Sequence, residues 1–484
     1  MSTQIQVKNP KTMAFILMLG AFIGLFGETA LNMALTNIMD QYTIKAGTAQ
    51  WLTTGYLLVL AILVPITALL MRWYTTRKLV IGGLVISLAG AILAALSPSF
   101  VVLLLGRLVQ AVGTGLILPV MTTVLLIIFP IHRRGAVMGI MGLVITLAPA
   151  LGPTLSGVII STLDWPYIFW FSAIFYVLLT IYAMTKMENV SDITKPKIDF
   201  PSILLSTIGF GGLIYALSTL AEKAITAPVV WGPLLAGIIG LLLFGLRQMK
   251  MEQPMVNLRV FKYPMFTLGT MMMFLGILII LSTAILLPLY LKSALLFSAA
   301  MAGLILLPGN AVNFVMSPIV GALFDKSGPR VFIISGSIIV LIGNIMFMNV
   351  ISATTPNWQI IVAFMILFFG ITMVMMPAQT NALNQLPRQF YADGSAAMNT
   401  LNQVAGAAGT AIAITVFTAG QKGYGAAFPD ASGPEIVAAG VSYAFYFITA
   451  ISVIAMVIAF FIKKSNGGEV KSLAPLKTKK PVHG

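Results

Sequence analysis

The chain has 484 residues, of which 59% are apolar and only 8% are charged, and its mean hydropathy is +1.00. Because soluble domains carry roughly a quarter charged residues, this composition excludes a water-soluble fold. Cysteine is absent, which excludes disulfides, thiolate metal sites and cysteine nucleophiles. The net charge of +15 is compatible with a nucleic-acid partner only if the basic residues form one patch.

Fourteen apolar runs are each long enough to cross a bilayer, since about 20 residues at ~1.5 Å each span the ~30 Å hydrocarbon layer. The chain is therefore predicted to be an all-α polytopic membrane protein. The runs have approximate limits 13–39, 50–71, 79–97, 100–129, 135–162, 167–186, 200–221, 228–247, 266–291, 299–324, 331–350, 358–386, 395–420 and 437–462. The first run lacks a small-residue cleavage site, which predicts a retained span instead of a signal peptide.

Lysine and arginine residues indicate the orientation, because positively charged loops remain in the cytoplasm. With the N-terminus inside, most of the 28 basic residues fall in cytoplasmic segments. The exceptions are Lys45, Lys223, Lys292 and Lys422, which fall outside, and Arg107, which lies within a span. Both termini are therefore predicted to be cytoplasmic, and charges spread over many short loops argue against a nucleic-acid partner.

Two ionisable residues lie deep within predicted spans, Glu28 in the first and Arg107 in the fourth. Such a group costs at least about 2.5 kcal/mol in hydrocarbon, so each one needs a reason to be there. Glu28 lies about 16 Å and Arg107 about 11 Å from the outer end of its span, at ~1.5 Å per residue. These depths are compatible with a contact between the two side chains.

An internal repeat divides the chain. Residues 65–77 align without a gap to residues 318–330, and the same alignment places the start of the first span on the start of the ninth. The predicted organisation is a cytoplasmic N-terminus (1–12), two six-helix halves (13–186 and 266–462), an insert with two further spans (187–265) and a basic cytoplasmic tail (463–484). Parallel half-repeats are typical of transporters, with a solute site between halves that rock against each other.

The second copy of the repeat, from Gly321 to Arg330, resembles the G-x-L-x-D-R/K-x-G-x-R loop of the major facilitator superfamily. In the first copy Arg72 stands where the acid belongs, and Thr75 stands where the second glycine belongs. We expect Asp325 to accept backbone hydrogen bonds near the start of a following helix, and Gly328 to permit a sharp turn. The resemblance implies gating by Asp325, Lys326, Gly328 and Arg330, and the alternative is a loop staple without a switching role.

Two further segments resemble motifs of the same superfamily. Residues 107–113 are similar to its R-x-x-Q-G segment, and residues 139–157 are similar to the antiporter signature G-x8-G-x3-G-P-x2-G-G, with Ala148 and Ser156 at two glycine positions. The signature is associated with exporters and implies conformational roles for Gly152, Pro153 and Gly157. The alternative is a packing face of small residues with a proline kink.

Fourteen spans, together with segments 27–35, 50–56, 376–388 and 398–406, resemble the lincomycin-resistance (LmrB-type) branch of the fourteen-span drug/proton antiporter family (DHA2). The resemblance implies a major facilitator fold with two inserted helices. It also implies proton-driven export of lipophilic drugs, including lincosamide-like antibiotics, across a bacterial cytoplasmic membrane. We expect a monomer surrounded by membrane lipids, with protons and small molecules as its partners and with no cofactor.

The resembled fold places the first and fourth spans beside a central cavity. Loss of hydration and a nearby guanidinium act on a carboxyl group in opposite directions, so a balanced group can bind and release a proton as access alternates. We therefore hypothesise that Glu28 carries the proton, or shares that role with recognition of cationic substrates, and that Arg107 sets its proton affinity. The alternative is a fixed ion pair that only orients two helices.

Amide side chains form a second group of candidates. Asn381, Asn384 and Gln385, and likewise Asn399, Asn402 and Gln403, have i, i+3, i+4 spacing and therefore share a helix face. Such a face either lines the drug cavity or holds the bundle together by hydrogen bonds. The candidate substrate-binding residues are Asn32, Gln110, Gln379, Asn381, Asn384, Asn402 and Gln403.

Two other functions compete with drug export. One is export of a physiological lipid, osmolyte or peptide. The other is a membrane enzyme acting on lipid-linked substrates, which the sequence disfavours because the spans contain no histidine and no pair of acids for acid/base or metal chemistry. The sequence also lacks a G-x4-G-K-S/T loop for ATP. A secondary transporter is therefore the prediction.

Overall fold

The computed structural model describes residues 7–190, 193–196, 198–220 and 227–464, which include no β-strand. Fourteen of its helices are long and apolar enough to cross a membrane, so the predicted number of spans is confirmed. The helices are α1 (Pro10–Ala30), α2 (Leu35–Tyr42), α3 (Ala46–Ala49), α4 (Trp51–Trp73), α5 (Thr76–Ala95), α6 (Phe100–Ile128), α7 (Ile131–Thr162), α8 (Pro166–Lys186), α9 (Phe200–Leu220), α10 (Pro228–Lys250), α11 (Pro264–Ser293), α12 (Ala299–Ser327), α13 (Pro329–Val350), α14 (Asn357–Gln385), α15 (Tyr391–Ala427) and α16 (Gly433–Phe460).

The first predicted span is not one continuous helix. The α-helix α1 ends at Ala30, a 3-10 turn covers Leu31–Met33, and α2 continues outward. The prediction of an unbroken run over 13–39 was therefore wrong. The tighter turn occurs where Gly152 of α7 presses against α1, since a methyl group on Gly152 would lie 3.0 Å from the backbone nitrogen of Ala30. The break directly follows the segment that carries Glu28.

The helix contacts follow the internal repeat. In the N-terminal half α6 packs against α1, α4 and α5, and α5 packs against α8. In the C-terminal half α14 packs in the same way against α11, α12 and α13, and α13 packs against α16. The halves meet at two interfaces that the repeat relates to each other, α7 with α12 and α4 with α15.

The two inserted helices lie at one of these interfaces. α9 and α10 pack against each other, and α9 also contacts both α4 and α15. Arg247 of α10 donates two hydrogen bonds of 2.7 Å to Asp199, which directly precedes α9. These hydrogen bonds, with help from Ser202, lower the pKa of Asp199 from 3.8 to about 2. The insert therefore contacts both halves at their boundary. The Asp199–Arg247 ion pair links the start of α9 to the last turn of α10.

The Asp199–Arg247 pair gives a pH-dependent prediction. A carboxyl group whose pKa is lowered by folding stabilises the fold above its ordinary pKa, near 4, and loses that contribution as the pH falls toward 2. We expect Asp199→Asn to lower the melting temperature slightly at pH 7, because Arg247 is exposed and solvent screens its attraction for Asp199. The difference from the wild type should disappear as the pH approaches 2. Asp430→Asn, in an exposed loop, is the matched control for thermal melts in detergent. A difference that persists at pH 2 would contradict the prediction.

Candidate functional site

Glu28 and Arg107 lie beside each other but do not form a direct ion pair. Glu28 is half-buried near the end of α1, and the only ion pairs within 4.0 Å among the described residues are Arg72–Asp393 and Arg247–Asp199. Arg107 of α6 is fully buried, and a methyl group on Gly27 would lie 3.8 Å from its Nη1. Arg107 acts electrostatically on Glu28 across the remaining distance. The alternative of a fixed ion pair therefore does not describe this conformation.

Arg107 is held by aromatic rings and one amide. Its Nη1 donates a 2.7 Å hydrogen bond to Oε1 of Gln110, one turn along α6. Its guanidinium carbon lies 4.3 Å from the centroid of the Tyr56 ring and 6.0 Å from that of Phe169. Its Nε and Nη2 and the Nε2 of Gln110 are buried and have no hydrogen-bond partner among the described residues, and the buried hydroxyl of Tyr176 lies in the same site. The site therefore brings several buried hydrogen-bond donors together around Arg107.

Glycine residues bring α6 close enough to its neighbours to form this site. A methyl group on Gly113 would lie 2.4 Å from the carbonyl oxygen of Gly83, and one on Gly106 would lie 2.7 Å from the nitrogen of Ala94, both on α5. Because α5 occupies that face of α6, Arg107 and the residues one and two turns beyond it point toward α1 and α4. The sequence motif at 107–113 thus encodes both a packing face and a polar face.

Three aromatic residues of the site were not among the predicted site residues. Tyr56 lies in the segment 50–56, whose resemblance implies no site role for it, and no motif of the sequence includes Phe169 or Tyr176. Phe169 and Tyr176 are seven residues apart on α8 and therefore share a face. That spacing was the available signal, but aromatic residues occur at this spacing in packing faces throughout the chain.

Gly152 places α7 directly against the Glu28 segment. A methyl group on Gly152 would lie 2.1 Å from Oγ1 of Thr29, which donates to the carbonyl oxygen of Pro149. A methyl group on Gly157 would meet nothing closer than 3.9 Å. The side chains of Asn32 and Pro153 lie outside the described part of the chain. Of the predicted conformational glycines in α7, only Gly152 makes a close approach to α1.

These two glycines provide a matched pair of variants. We expect Gly152→Val to impair transport strongly, because overpacking of this kind typically costs about 1–3 kcal/mol and would push α7 away from Glu28. Gly157→Val should retain transport near the wild-type level, since a methyl group there makes only an ordinary van der Waals contact with Met33. The measurement is drug efflux at matched membrane levels. Equal activity of the two variants would contradict the assignment.

The amide residues of α14 hold elements together. Nδ2 of Asn381 donates to the carbonyl oxygen of Lys463, and Oδ1 of Asn384 accepts a 2.8 Å hydrogen bond from Arg134 of α7. Oε1 of Gln385 accepts from the backbone nitrogens of Met265 and Phe266 at the start of α11. For these three residues the contacts favour the interpretation of hydrogen bonds within the bundle.

The remaining amides have free polar atoms. Gln379 is buried and its Oε1 has no partner among the described residues, and the same holds for Oδ1 of Asn402. Gln403 is half-buried on α15. Gln379, Asn402 and Gln403 therefore stay candidates for substrate binding, together with Gln110 beside Arg107.

The loop of the second repeat joins the two halves. Asp325 at the end of α12 accepts hydrogen bonds of 2.8 and 3.0 Å from the backbone nitrogens of Gly135 and Ala136, near the start of α7. The expected partner was the following helix, and that expectation was wrong because α7 of the opposite half lies against the end of α12. Gly328 makes the predicted sharp turn at φ +77°. Lys326 and Arg330 are exposed.

The corresponding position of the first repeat also joins the halves, with the charge reversed. Nη2 of Arg72, at the end of α4, lies 2.6 Å from both carboxylate oxygens of Asp393 in the first turn of α15. The backbone nitrogen of Asn257 donates to the same carboxylate, and Nη1 of Arg72 donates to the carbonyl oxygen of Pro254. Both residues belong to the segment that follows the inserted helices.

We call the side of the bundle where α1 begins and α16 ends the termini side. At this side Arg72–Asp393, Asp325 with α7, and Arg134 with Asn384 all connect the N-terminal half to the C-terminal half. Three contacts between the halves therefore lie at the termini side, and Glu28 is half-buried deeper in the bundle, near the end of α1.

Comparisons with known proteins agree with this architecture. The profile of the Major Facilitator Superfamily matches residues 17–410. The lincomycin resistance protein LmrB of Bacillus subtilis is 50% identical over 454 residues, covering 93% of this chain and 95% of that protein. LmrB of Listeria monocytogenes is 50% identical over 451 residues, covering 93% and 96%. The crystal structure of the human organic anion transporter MFSD10 superimposes with a TM-score of 0.65 at 12% identity, covering 93% of this chain and 99% of that one.

Proposed function

The chain belongs to the major facilitator superfamily, whose members are membrane transporters, and we propose that it exports lipophilic drugs in exchange for protons. The observation that carries the proposal is Glu28, an acid within a membrane-spanning segment that is half-buried and has no direct cationic partner. The LmrB relatives are named lincomycin resistance proteins, which supports lincosamide-like antibiotics as substrates. The proton gradient is the proposed source of energy, without a cofactor.

In the proposed cycle Glu28 takes up a proton from the side opposite the termini side. The protonated carboxyl group is neutral, which removes most of the cost of keeping it in the membrane. When the halves rock and the termini side opens, the carboxyl group releases its proton, and the positive Arg107 nearby stabilises the resulting carboxylate. The drug then occupies the cavity and leaves in the reverse transition. Each turn therefore moves protons inward and drug outward.

The proposed orientation follows the basic loops. Arg72, Arg134 and the segments around them lie at the termini side, which we place in the cytoplasm in accordance with the positive-inside rule. In this orientation the contacts that join the two halves lie at the cytoplasmic side. The free amide atoms of Gln379 and Asn402 are the proposed hydrogen-bonding groups of the drug cavity.

Lincomycin uptake into everted vesicles tests the function. The vesicles come from a bacterial host that lacks its own drug pumps, and an acid-inside pH gradient drives the uptake. We expect uptake above empty-vector vesicles, and we expect a protonophore to abolish it. Uptake that survives collapse of the gradient would contradict proton coupling. If every compound of a drug panel gives empty-vector values, the multidrug proposal fails and export of a physiological compound replaces it.

A further inference from the structure

The starting point is the way in which Arg107 is buried. Its guanidinium group is fully enclosed, makes one hydrogen bond and leaves Nε and Nη2 without an acceptor among the described residues. A buried charge normally requires pairing and several hydrogen bonds. The nearest carboxylate, that of Glu28, is not within 4.0 Å. Something other than an ion pair must therefore hold the guanidinium in its position.

Tyr56 supplies that support. Its ring is fully buried, and its centroid lies 4.3 Å from the guanidinium carbon, which is the contact distance of a strong cation–π interaction. The ring itself is fixed in orientation, because its hydroxyl donates to the carbonyl oxygen of Gly24 at 3.0 Å and lies 2.7 Å from Oγ1 of Thr114. Tyr56 thus connects α4 to both α1 and α6.

We propose that Tyr56 is a positioning residue for proton exchange, a role that rests on the proposed function of Glu28. The face of its ring holds Arg107 against α4 and thereby prevents a permanent contact between the guanidinium and Glu28. A permanent contact would keep the carboxylate ionised in both conformations and stop proton binding. With Arg107 held back, its Nε and Nη2 remain free to receive the carboxylate only after the proton has left.

Few other titratable groups face this site. Glu28 comes from α1, Tyr56 from α4, Arg107 from α6 and Tyr176 from α8. α7, which also packs against α1, carries its titratable side chains only in its first turn, at the termini side. The attraction of the Arg107 guanidinium to the Tyr56 ring and to the Glu28 carboxylate therefore depends on these four residues.

Fluorination of the ring separates its electrostatics from its shape. Phe and mono-, di- and trifluorinated Phe are introduced at position 56, because each fluorine weakens the attraction of the ring for a cation with little change in volume. We expect proton-driven lincomycin uptake to fall stepwise along the series, by about tenfold or more at the trifluorinated ring relative to Phe. Protein levels should stay constant. A flat series would overturn the proposal.

A matched control uses Tyr290 of the C-terminal half. Its side chain is fully buried and its hydroxyl donates to the carbonyl oxygen of Ser352, but no cation lies over its ring among the described residues. The same fluorinated series at position 290 should leave uptake unchanged. An equal decline at both positions would show that fluorination acts through packing and would overturn the proposal.

If Tyr56→Phe does not transport, thermal stability replaces uptake as the measurement. It tests the cation–π contact of Tyr56 separately from the proton-carrier role of Glu28. The melting temperature should fall along the fluorinated series in the wild-type background and stay constant in an Arg107→Gln background, since the cation is then absent. Equal slopes in both backgrounds would refute the cation–π contact. The role of Glu28 is tested independently. If Glu28→Gln transports with the pH dependence of the wild type, Glu28 is not the proton carrier.

Discussion

Proton-driven efflux should fall to the empty-vector level when Glu28 is replaced by Gln. The substituted amide keeps the size of the side chain but cannot bind and release a proton, so the coupled step has no carrier. Stability should not decrease, because Glu28 makes no direct ion pair that the change could break and the amide carries no charge into the membrane. The measurement is pH-gradient-driven lincomycin uptake in everted vesicles at matched membrane levels.

The control for this prediction is Glu252→Gln, which removes an exposed acid from the segment after α10 and should leave uptake unchanged. Binding of radiolabelled drug to the purified Glu28→Gln protein then distinguishes the two roles of the acid. Retained binding indicates a proton carrier only, whereas selective loss of cationic compounds indicates a shared site. Uptake at the wild-type rate in Glu28→Gln would refute the carrier assignment.

The second large effect is expected at Arg72 and Asp393. Asp393 is completely buried and Arg72 retains 20% exposure, so removing the arginine leaves a carboxylate without its cation. Loss of one partner from a buried ion pair costs about 3–5 kcal/mol, and the partial exposure of Arg72 places the effect at the lower end. Because the pair joins α4 to α15, this energy is lost only from the conformation with a closed termini side. We expect Arg72→Gln to shift the equilibrium toward the open conformation by about a hundredfold.

Cysteine labelling measures that shift directly, since the chain contains no cysteine of its own. Met376 of α14 is buried against Gly142 of α7, so Met376→Cys reports on opening between the halves. A membrane-impermeant maleimide, added to everted vesicles, should label this cysteine much faster in the Arg72→Gln background. The exposed Arg133 provides the control variant Arg133→Gln, for which labelling should stay slow.

The charge swap tests whether the pair itself is responsible. Arg72→Asp combined with Asp393→Arg should restore slow labelling in part, whereas each single reversal should accelerate it. Recovery should be incomplete because Pro254 and Asn257 are placed for the native charges, with a carbonyl oxygen facing the arginine and a backbone nitrogen facing the acid. Labelling that is equally fast in the swapped protein and in both single variants would contradict the assignment.

The sequence predicts the spans well because hydrocarbon thickness imposes a length that apolar runs reveal directly. It does not predict the break at Leu31–Met33, which lies where Gly152 approaches from another helix. It predicts that Glu28 and Arg107 are neighbours in depth, but it does not reveal that Arg107 packs against the ring of Tyr56 without a direct ion pair to Glu28. That arrangement depends on rotamers and on three helices that meet only in the folded chain.

The partners of the loop residues also could not be predicted from the sequence. The repeat alignment identifies Arg72 as the exception to its motif, yet its partner Asp393 lies in the opposite half and shares no local pattern with it. Asp325 was correctly expected to accept backbone hydrogen bonds, but the donors belong to α7 instead of α13. For Asn381, Asn384 and Gln385 the spacing identifies a common face without saying what that face meets.

The position of α9 makes the two boundaries between the halves unequal. The α4–α15 boundary is covered by protein along its outer surface, whereas no described helix lies over the α7–α12 boundary. The α7–α12 boundary is therefore the one that faces outward without a covering helix among the described residues. A symmetric twelve-helix bundle would leave both boundaries uncovered in this way.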